Sequence, residues 1–579
     1  MKTITATLIA FCAAQISVAQ GGWIFDTNPQ NDVTSYTTIY NYTGCSFIDI
    51  NGDNFVDLYA APKTLFLNNG DGTFAQTASL PFNIQNGVWG SSYADLDNDG
   101  DNDIILAGVP SKVYFNNGNG TFYDSTSKLP SFGLYGSWAV AIGDYNETRE
   151  LDFFFAHAAG YHAPAASSPC KFYSQQTGIF NPISIALPTV TDSLSTYTNP
   201  YWSDYDLDGD MDLFVASGPV VMPGFDPCYK NLKIETGIDS LTPMTAELFA
   251  TQLQDGQCYN FIDYDNDKDL DLCITNYANA PTRLYRNNGG TYTVVNTPFS
   301  NASTNIANCW GDYDNDGDLD VIITNDNQIA KYYRNNNGAT FTYLPDGFST
   351  PTATNGVTNA DYDNDGDLDV FTNGLGNNGN TSSVGLFIND TVAGNRNYVN
   401  LKLVGITSNR SAIGAIVRLH AVINGNSVWQ MREVNAQNTF QGQNDLRVHF
   451  GLGDAATFDT LIIIWPSGNI DTLNNYQANN FYQITEGLGM INLSVKKHVE
   501  NKLIRVYPNP ATGFLNVEIP EINNEFYAYH ITNILGVQIL SGKITQSHFT
   551  IDIDKIPAGV YNITVKSSKR NITGKFMKL

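Results

Sequence analysis

Apolar residues in this chain come in short runs set between polar clusters, such as "DLFVAS" at 212–217, "DVIITN" at 320–325 and "DVFTNG" at 369–374. The runs are rich in Val, Ile, Phe and Thr and are bounded by Gly, Asn and Asp. That is the pattern of short strands joined by tight turns, and no long stretch repeats with a 3.6-residue period. The fold class predicted is therefore all-β. Before each run lies a nine-residue acidic loop whose first Asp stands at Asp49, Asp95, Asp144, Asp204, Asp263, Asp312 and Asp361, with spacings of 46, 49, 60, 59, 49 and 49 residues. After it comes an aromatic strand ending in Asn-Asn, a Gly-rich turn and a Thr-Phe pair, as in "LFLNNGDGTF", "VYFNNGNGTF" and "YYRNNNGATF". Asn-Gly and Asp-Gly supply the positive φ angles that such hairpins need. Each repeat thus supplies four strands, and a period of this size suits one propeller blade. Seven repeats predict a seven-bladed β-propeller over 20–391. The seventh repeat stops at "GLFIND" (385–390), while "GGWIFDTNP" near the front resembles "NGTFYDSTS" of the second repeat. Trp23 to Asp26 is therefore expected to complete the last blade and close the ring, protecting its sheet edges.

The loops carry the candidate chemistry. In Asp361-Tyr362-Asp363-Asn364-Asp365-Gly366-Asp367-Leu368-Asp369, acids fill positions 1, 3, 5 and 9, with Gly at the turn. Like charges crowd this way when a hard cation sits among them, and calcium takes six to eight oxygen ligands. The expected metal ligands are Asp361, Asp363, Asp365 and Asp369 here, and Asp95, Asp97, Asp99 and Asp103, Asp204, Asp206, Asp208 and Asp212, and Asp312, Asp314, Asp316 and Asp320 in the other full copies. Two further loops contribute Asp263, Asp265, Asp267 and Asp271, with Lys268 at the turn, and Asp49, Asn51, Asp53 and Asp57, with Asn54 at the turn. The third loop (Asp144, Asn146, Thr148, Arg149, Asp152) loses an acid and gains a cation, and is expected to be metal-free. The alternative for any copy is a solvated Asp-Gly turn. About four to six Ca2+ ions, one per intact loop, are the cofactors expected. An EF-hand is excluded, because position 12 holds Leu106, Val215, Ile323 or Thr372 where that motif needs a bidentate Glu. The loops resemble the DxDxDGxxD loops of FG-GAP/VCBS repeats, the blades of integrin α-chain propellers. The resemblance implies that each loop joins two strands of a blade and that position 7 contributes its backbone carbonyl.

The chain has 579 residues and a formal net charge of −27. Thirty of its 57 acidic residues are loop aspartates, so the charge is concentrated at the candidate ion sites. Without a basic patch, nucleic acid and anionic membrane are not expected partners. Residues 1–19 read as a secretory signal: Lys2, an apolar run from Ile4 to Ala14, and small residues Ser17-Val18-Ala19 before Gln20. That run is too short to span a bilayer, and no transmembrane segment is expected. Cys12 lacks the preceding small residue of a lipoprotein anchor. Cys45, Cys258 and Cys309 read as buried free thiols just ahead of loops. Cys170 and Cys228 each follow a Pro in neighbouring repeats, and either a disulfide between them or two free thiols is compatible with the sequence.

Beyond 391 the repeats stop. Residues 395–488 carry "NRNYVNLKLVG", "SNRSAIGAIVRL", "HFGLG" and "WPSG", and resemble the ASPIC/UnbV domain, which in cartilage acidic protein and many secreted bacterial proteins follows such repeats. The matching residues are Asn409-Arg410, Gly414-Ala415, His449 to Gly453 and Trp465 to Gly468. His449, beside Phe450, reads as a packed core histidine. A polar linker at 489–502 leads to 503–579, where Tyr507-Pro508-Asn509-Pro510, Gly559-Val560-Tyr561 and Lys575 to Leu579 resemble the type A C-terminal sorting domain of the type IX secretion system. That resemblance implies a small β-sandwich, contact with the secretion machinery, and export to the cell surface or medium.

No catalytic residues are assigned. Gly374 to Gly379 spells GxGxxG, but strand sequence follows instead of a helix, so no phosphate site is expected. The first functional reading is a secreted or cell-surface calcium-binding propeller for adhesion, with an extracellular glycan or protein as partner. The alternatives are a polysaccharide-acting enzyme using the insertions at 157–169 and 217–227, where His157 and His162 fall, and a non-catalytic structural scaffold. Trp89, Trp138, Trp202 and Trp310 precede loops by six or two residues, which puts them on one strand face for core packing, or for stacking on a sugar.

Overall fold

In a computed structural model the chain is described over residues 23–493 and 505–579, except 39, 78–87, 131–135, 158–169, 185–194, 220–223, 278–279, 301–303, 346–347, 349–352, 376–383, 390–395, 508, 519–526, 534–537, 545, 547 and 567–570. The side chain of His157 is likewise outside that description. The signal segment, most of both insertions with His162, and most of the GxGxxG stretch therefore lie outside the described residues. Residues 1–494 and 495–579 form two compact units.

In the first unit, seven four-stranded antiparallel sheets are built by the repeats. Their innermost strands are Cys45–Ile48, Val88–Ala94, Ser137–Gly143, Ser195–Ser203, Gly256–Ile262, Asn305–Gly311 and Gly356–Ala360. Each of these strands touches the next, and the last touches the first, so the sheets form a closed ring. We number the sheets 1 to 7 in that order. Sheet 7 is completed by Trp23–Phe25, which pairs with Gly385–Asn389 in the register Trp23↔Asn389 and Phe25↔Phe387. The closure expected from the front of the chain is present, and Trp23 packs among Tyr313, Tyr332 and Phe348.

The Asn that ends each third strand joins neighbouring sheets. Its amide nitrogen donates to the carbonyl of the second loop residue in the preceding sheet: Asn116 to Ile50 (2.7 Å), Asn231 to Tyr145 (2.7 Å), Asn335 to Tyr264 (2.8 Å), Asn389 to Tyr313 (2.7 Å) and Asn68 to Tyr362 (2.8 Å). Gln175 does the same to Leu96 at 2.7 Å. Asn287 is the exception. It turns to Leu270 of its own sheet, beside the hydroxyl of Tyr292, which stands where other repeats have Phe. Asn335→Ala would strand the carbonyls of Tyr264 and Leu319 and the Gly338 amide. We expect it to cost about 2–3 kcal/mol in denaturant unfolding. Asn287→Ala, which breaks no inter-sheet bond, should cost less.

The four tryptophans are buried and serve packing. They do not share one face, because a bulge follows Val88 and another follows Ser137. A bulge resets the period-2 alternation, so the even spacing of Trp89 and Trp138 no longer aligns them with Trp202 and Trp310. Trp89 and Trp138 stack on each other instead, 5.8 Å apart and 7° from parallel. All six described cysteines are buried, and Cys228 is a free thiol, so there is no disulfide between Cys170 and Cys228.

Residues 397–492 form two four-stranded sheets. One has the order Val448–Gly453, Asn397–Val404, Asn480–Thr485, Gly489–Asn492, with its central pair parallel. The other is antiparallel, in the order Asn426–Glu433, Ile416–Ile423, Thr457–Ile464, Ile470–Gln477. Phe450, Phe458, Leu461 and Trp465 lie in the core between them. The connection at 434–447 leaves this sandwich and fills the axis of the ring. Gln443 accepts from the Tyr93 amide (2.7 Å) and donates its own amide to the Ser46 hydroxyl (3.1 Å). The Thr439 carbonyl takes the Asn199 side chain (3.1 Å), the Asn438 carbonyl that of Asn260 (3.0 Å), and the Gln443 carbonyl the Thr358 hydroxyl (2.8 Å). Cys309 donates to Asn444 at 3.3 Å, and Phe440 belongs to the same apolar cluster as Trp138 and Ala139. The innermost strands of all seven sheets thus meet this one loop. Approach is close at Gly442, where a Cβ would lie 2.0 Å from the Cys45 carbonyl oxygen, so glycine is required there.

The second unit has a three-stranded sheet (Arg505–Tyr507, Phe514–Glu518, His548–Asp552) and a four-stranded one (Gln538–Ile544, Tyr527–Asn533, Gly559–Lys566, Asn571–Lys578). Leu515, Ile531, Ile551, Ile563 and Phe576 form its core. The Met577 amide donates to Asn509 at 2.9 Å, and the Leu579 amide to the Ala511 carbonyl at 2.9 Å, so residues 509–511 and the terminal residues hold each other.

Candidate metal centres

Every acidic loop spans the gap between the first and second strands of its sheet, and position 9 is the first residue of the second strand. The local fold follows from the spacing. The first Asp receives the amides of positions 5 and 6: Asp95 from Asp99 (3.0 Å) and Gly100 (2.8 Å), Asp312 from Asp316 (3.0 Å) and Gly317 (2.8 Å), Asp361 from Asp365 (2.9 Å) and Gly366 (3.1 Å). Asp263 does so with Asp267 and Lys268, and Asp204 receives Gly209. Position 6 has positive φ in all seven loops, including Asn54, Arg149 and Lys268. Position 4 does too, as Gly52, Asn98, Glu147, Leu207, Asn266, Asn315 and Asn364. Asn is the residue besides Gly that accepts this region most readily. The recurring Asn of "DYDNDGD" therefore has a backbone role that charge alone does not reveal.

Position 9 clamps the sheet. One oxygen accepts the amide of the third-strand Asn or Gln, at 2.7–2.8 Å for Asp57, Asp103, Asp152, Asp212, Asp271, Asp320 and Asp369. Each carboxylate retains lone pairs for a further ligand. In sheets 2, 4 and 6, the acids at positions 1, 3 and 5 place one oxygen each within 4.8 Å of one another; in sheet 5, Asp263, Asp265 and Asp271 do so. These four clusters could hold a metal ion. Asp204 Oδ1, Asp212 Oδ2 and Asp265 Oδ1 are buried and lack hydrogen bonds, while Asp208 Oδ2, Asp265 Oδ2 and Asp314 Oδ1 lack an aligned hydrogen bond but face a basic side chain at 3.0, 2.7 and 2.6 Å. Buried carboxylate oxygens left this way are costly without a cation, so the donor set fits a hard, oxygen-seeking ion. Burial, and then the neighbouring loop acids, push Asp103 up to about 8 and Asp271 up to about 9. Burial with Glu433 and Asp208 pushes Asp204 up to about 8.

The weaker copies differ in kind. In loop 1, Asn51 donates to Asp53 at 3.0 Å, which supplies a hydrogen bond where other loops have an acid. In loop 3, Thr148 donates its amide to Asp144 (2.9 Å) and its hydroxyl to Asn146 (2.7 Å), so the loop closes by its own hydrogen bonds. In loop 7, the Asn400 amide nitrogen donates to Asp361 Oδ2 at 2.6 Å.

Asn400 belongs to a set of residues through which the 397–492 sandwich rests on the loops; of these, Asn400, Lys402, Ser411, Glu433 and Arg447 were not singled out by the sequence. Ser411 accepts the Asp95 amide (2.9 Å), Glu433 accepts the Asp204 amide (2.9 Å) and Ser203 hydroxyl (2.7 Å), and Arg447 donates to the Asp361 carbonyl (2.8 Å). Lys402 lies 3.5 Å from Asp49 and Arg410 3.8 Å from Asp95. His449 is buried as expected, yet it is a docking residue: its ring nitrogens meet Asn400 at 2.9 Å and Asn315 of loop 6 at 2.7 Å. Burial, then Arg432 and Arg447, holds its pKa down at about 3, so it is neutral. Gly451, two residues on, leaves room for Asp312, whose Oδ2 would lie 2.0 Å from a Cβ there. The "HFGLG" motif is therefore shaped by the loop beneath it.

Comparison with known proteins agrees with this layout. Residues 61–106, 263–323 and 312–372 match the FG-GAP-like repeat, 405–489 match ASPIC and UnbV, and 505–578 match the secretion system C-terminal sorting domain. A search of curated proteins returns no match. Among solved structures, an Agrocybe aegerita lectin described for its recognition of non-reducing terminal N-acetylglucosamine is similar at 14% identity, over 61% of this chain and 92% of its own, with a TM-score of 0.37. The BP39L lectin of Burkholderia pseudomallei is similar at 12% identity over 60% and 99%, with a TM-score of 0.38. PorZ, a surface component of the type IX secretion system of Porphyromonas gingivalis, is similar at 11% over 92% and 81%, with a TM-score of 0.18. Overall superposition with all three is poor.

Proposed function

We propose that this chain, which carries FG-GAP-like repeats, an ASPIC/UnbV domain and a type IX sorting domain, works as a calcium-stabilised binding module for a glycan or protein outside the cell. Its sorting domain directs it out of the cell, and no helix among the described residues is long and apolar enough to cross a membrane. The calcium half of the reading is supported by the buried, hydrogen-bond-free carboxylate oxygens of the loops. Calcium would be held by positions 1, 3, 5 and 9 of loops 1, 2, 4, 5, 6 and 7, and would supply charge neutralisation there. The binding half is supported by the ring itself. Its axis is filled by 434–447, so a partner would meet the outer faces, where sheets 3 and 4 carry the longest connections on a rigid scaffold.

Equilibrium dialysis of the exported chain against millimolar calcium, with metal analysis, is expected to return four to six ions per molecule. No bound calcium would remove the first half of the reading. Immobilised extracellular polysaccharides and proteins should retain the loaded chain without chemical change. Release of new sugar ends would move the assignment to a polysaccharide-acting enzyme, and neither retention nor cleavage to a structural scaffold.

A further inference from the structure

Three loops carry a basic side chain at the place a metal would take. Lys230 Nζ lies 2.5 Å from Asp206 and 3.0 Å from Asp208, the third and fifth positions of loop 4. Arg286 Nη2 lies 2.7 Å from Asp265 and 3.4 Å from Asp267, the same pair in loop 5. Arg396 Nη1 lies 2.6 Å from Asp314 and 3.7 Å from Asp316, again the same pair, in loop 6. Lys230 and Arg286 stand just before the third-strand Asn of their sheets, whereas Arg396 comes from the segment leading into the ASPIC/UnbV sandwich. The residues matching Lys230 in sheets 2 and 7, Phe115 and Ile388, carry no charge.

We propose that Lys230, Arg286 and Arg396 are tethered competitors for calcium. Each holds the third and fifth carboxylates together while the ion is away, and each must withdraw for the ion to enter. The inference rests on the calcium reading given above. Two observations separate it from ordinary surface ion pairing. The same two loop positions are bridged three times from two different parts of the chain. One oxygen of each bridged pair (Asp208 Oδ2, Asp265 Oδ2 and Asp314 Oδ1) is buried and receives no well-aligned hydrogen bond, although Lys230 donates to Asp206 and Arg286 to Asp267. At those three oxygens the charge contact lacks direction, and a spherical ion would replace it at no geometric loss. Lys230 also has somewhere to go. Its ammonium is 2.9 Å from the exposed Glu235, which can keep it once Asp206 and Asp208 turn to a metal.

A competitor has a signature that a merely structural pair lacks. Removing it should weaken the calcium-free protein and strengthen calcium binding, two changes of opposite sign. The test is calorimetric titration of calcium into the full chain carrying Lys230→Met and Arg286→Met, with melting in EGTA and in calcium. Both side chains are partly exposed, so the variants should fold. Lys112→Met is the control, because Lys112 pairs with Asp124 on a strand away from the loop acids. Each removal is expected to tighten its own loop about two- to fivefold, the range of an exposed ion pair, and to lower the melting temperature in EGTA only. Lys230→Arg should restore both values. Unchanged or weakened calcium binding in both variants would overturn the inference while leaving the calcium reading intact. A wild-type chain that takes up no calcium would overturn the reading on which it rests.

Discussion

Replacing residues 435–444 with a short Gly-Ser bridge is expected to abolish stable folding of the ring, although no repeat is touched. The bridge would remove the partners of Ser46, Tyr93, Asn199, Asn260, Thr358 and Cys309, all buried on innermost strands. A buried polar group left unpaired costs about 1–3 kcal/mol, so six of them approach or exceed the roughly 5–15 kcal/mol by which a domain is stable. Loss of Phe440 adds a cavity beside Trp138. The graded version is Gln443→Ala, which strands the Tyr93 amide and should cost about 2–3 kcal/mol in urea unfolding. The repeats expressed as 20–391 are expected to show no cooperative melt. A cooperative transition at the temperature of the full chain would mean that the loop is a passenger in the axis.

Calcium removal is expected to have the other large effect, and its size should depend on pH in a stated direction. Burial, and then neighbouring loop acids, push Asp103 and Asp271 up to about 8 and 9. Asp95 and Asp361 are each pushed up to about 7, again chiefly by burial. An unfolded Asp sheds its proton near pH 4. Between about pH 4 and 9, then, the metal-free folded chain holds protons that the unfolded chain has lost. Its stability is fullest at the acid end of that window and falls as pH rises through the folded values. In EGTA the melting temperature should therefore drop from pH 5 to pH 8.5. Calcium binds the deprotonated loops, so its stabilising effect should grow over the same range. At a hundredfold excess over Kd each site adds about 2.7 kcal/mol, and four sites would raise the melting temperature by on the order of 10–20 °C at pH 8. Glu486 does not confuse the window. Burial would raise it, but hydrogen bonds from Ser467, the Ser408 and Ile406 amides and Asn469 hold it at about 2, so its contribution is lost only in stronger acid. A melting temperature that EGTA leaves unchanged at pH 8 would sink the calcium reading.

The ring was legible because its signals repeat. An isolated "DYDNDGDLD" is ambiguous, but seven copies fix strand, loop and strand in order, and the unfinished seventh copy points to Trp23–Phe25 as its missing strand. The clustering of the loop acids was legible because carboxylates at alternate positions of one tight loop must converge. The third-strand Asn was visible as a motif but silent about its task, since the carbonyl it reaches lies in the preceding sheet. The segment at 434–447 was hidden for a different reason. "VNAQNTFQGQNDLR" reads as a solvated connection, because Asn and Gln look the same in sequence whether they face water or backbone. Lys402, Asn400 and Glu433 were invisible likewise, and Arg410 was visible only as part of a motif, as each meets a partner set by docking between modules. The tryptophan face failed at two bulges, which no periodicity announces.

Ring closure also sets a timetable. The first strand of the described chain pairs with Asn389, and Ser46 waits for Gln443, 397 residues further on. Contacts that distant form late, after most of the loop entropy between them has been surmounted. As the chain leaves the ribosome, the sheets can form one by one, yet neither the closing strand nor the axis can be settled until about residue 450 has emerged. The sorting domain follows only some fifty residues later. The first unit can therefore reach its finished state only shortly before the sorting domain appears, and a chain truncated before about residue 450 has neither a closed ring nor that domain.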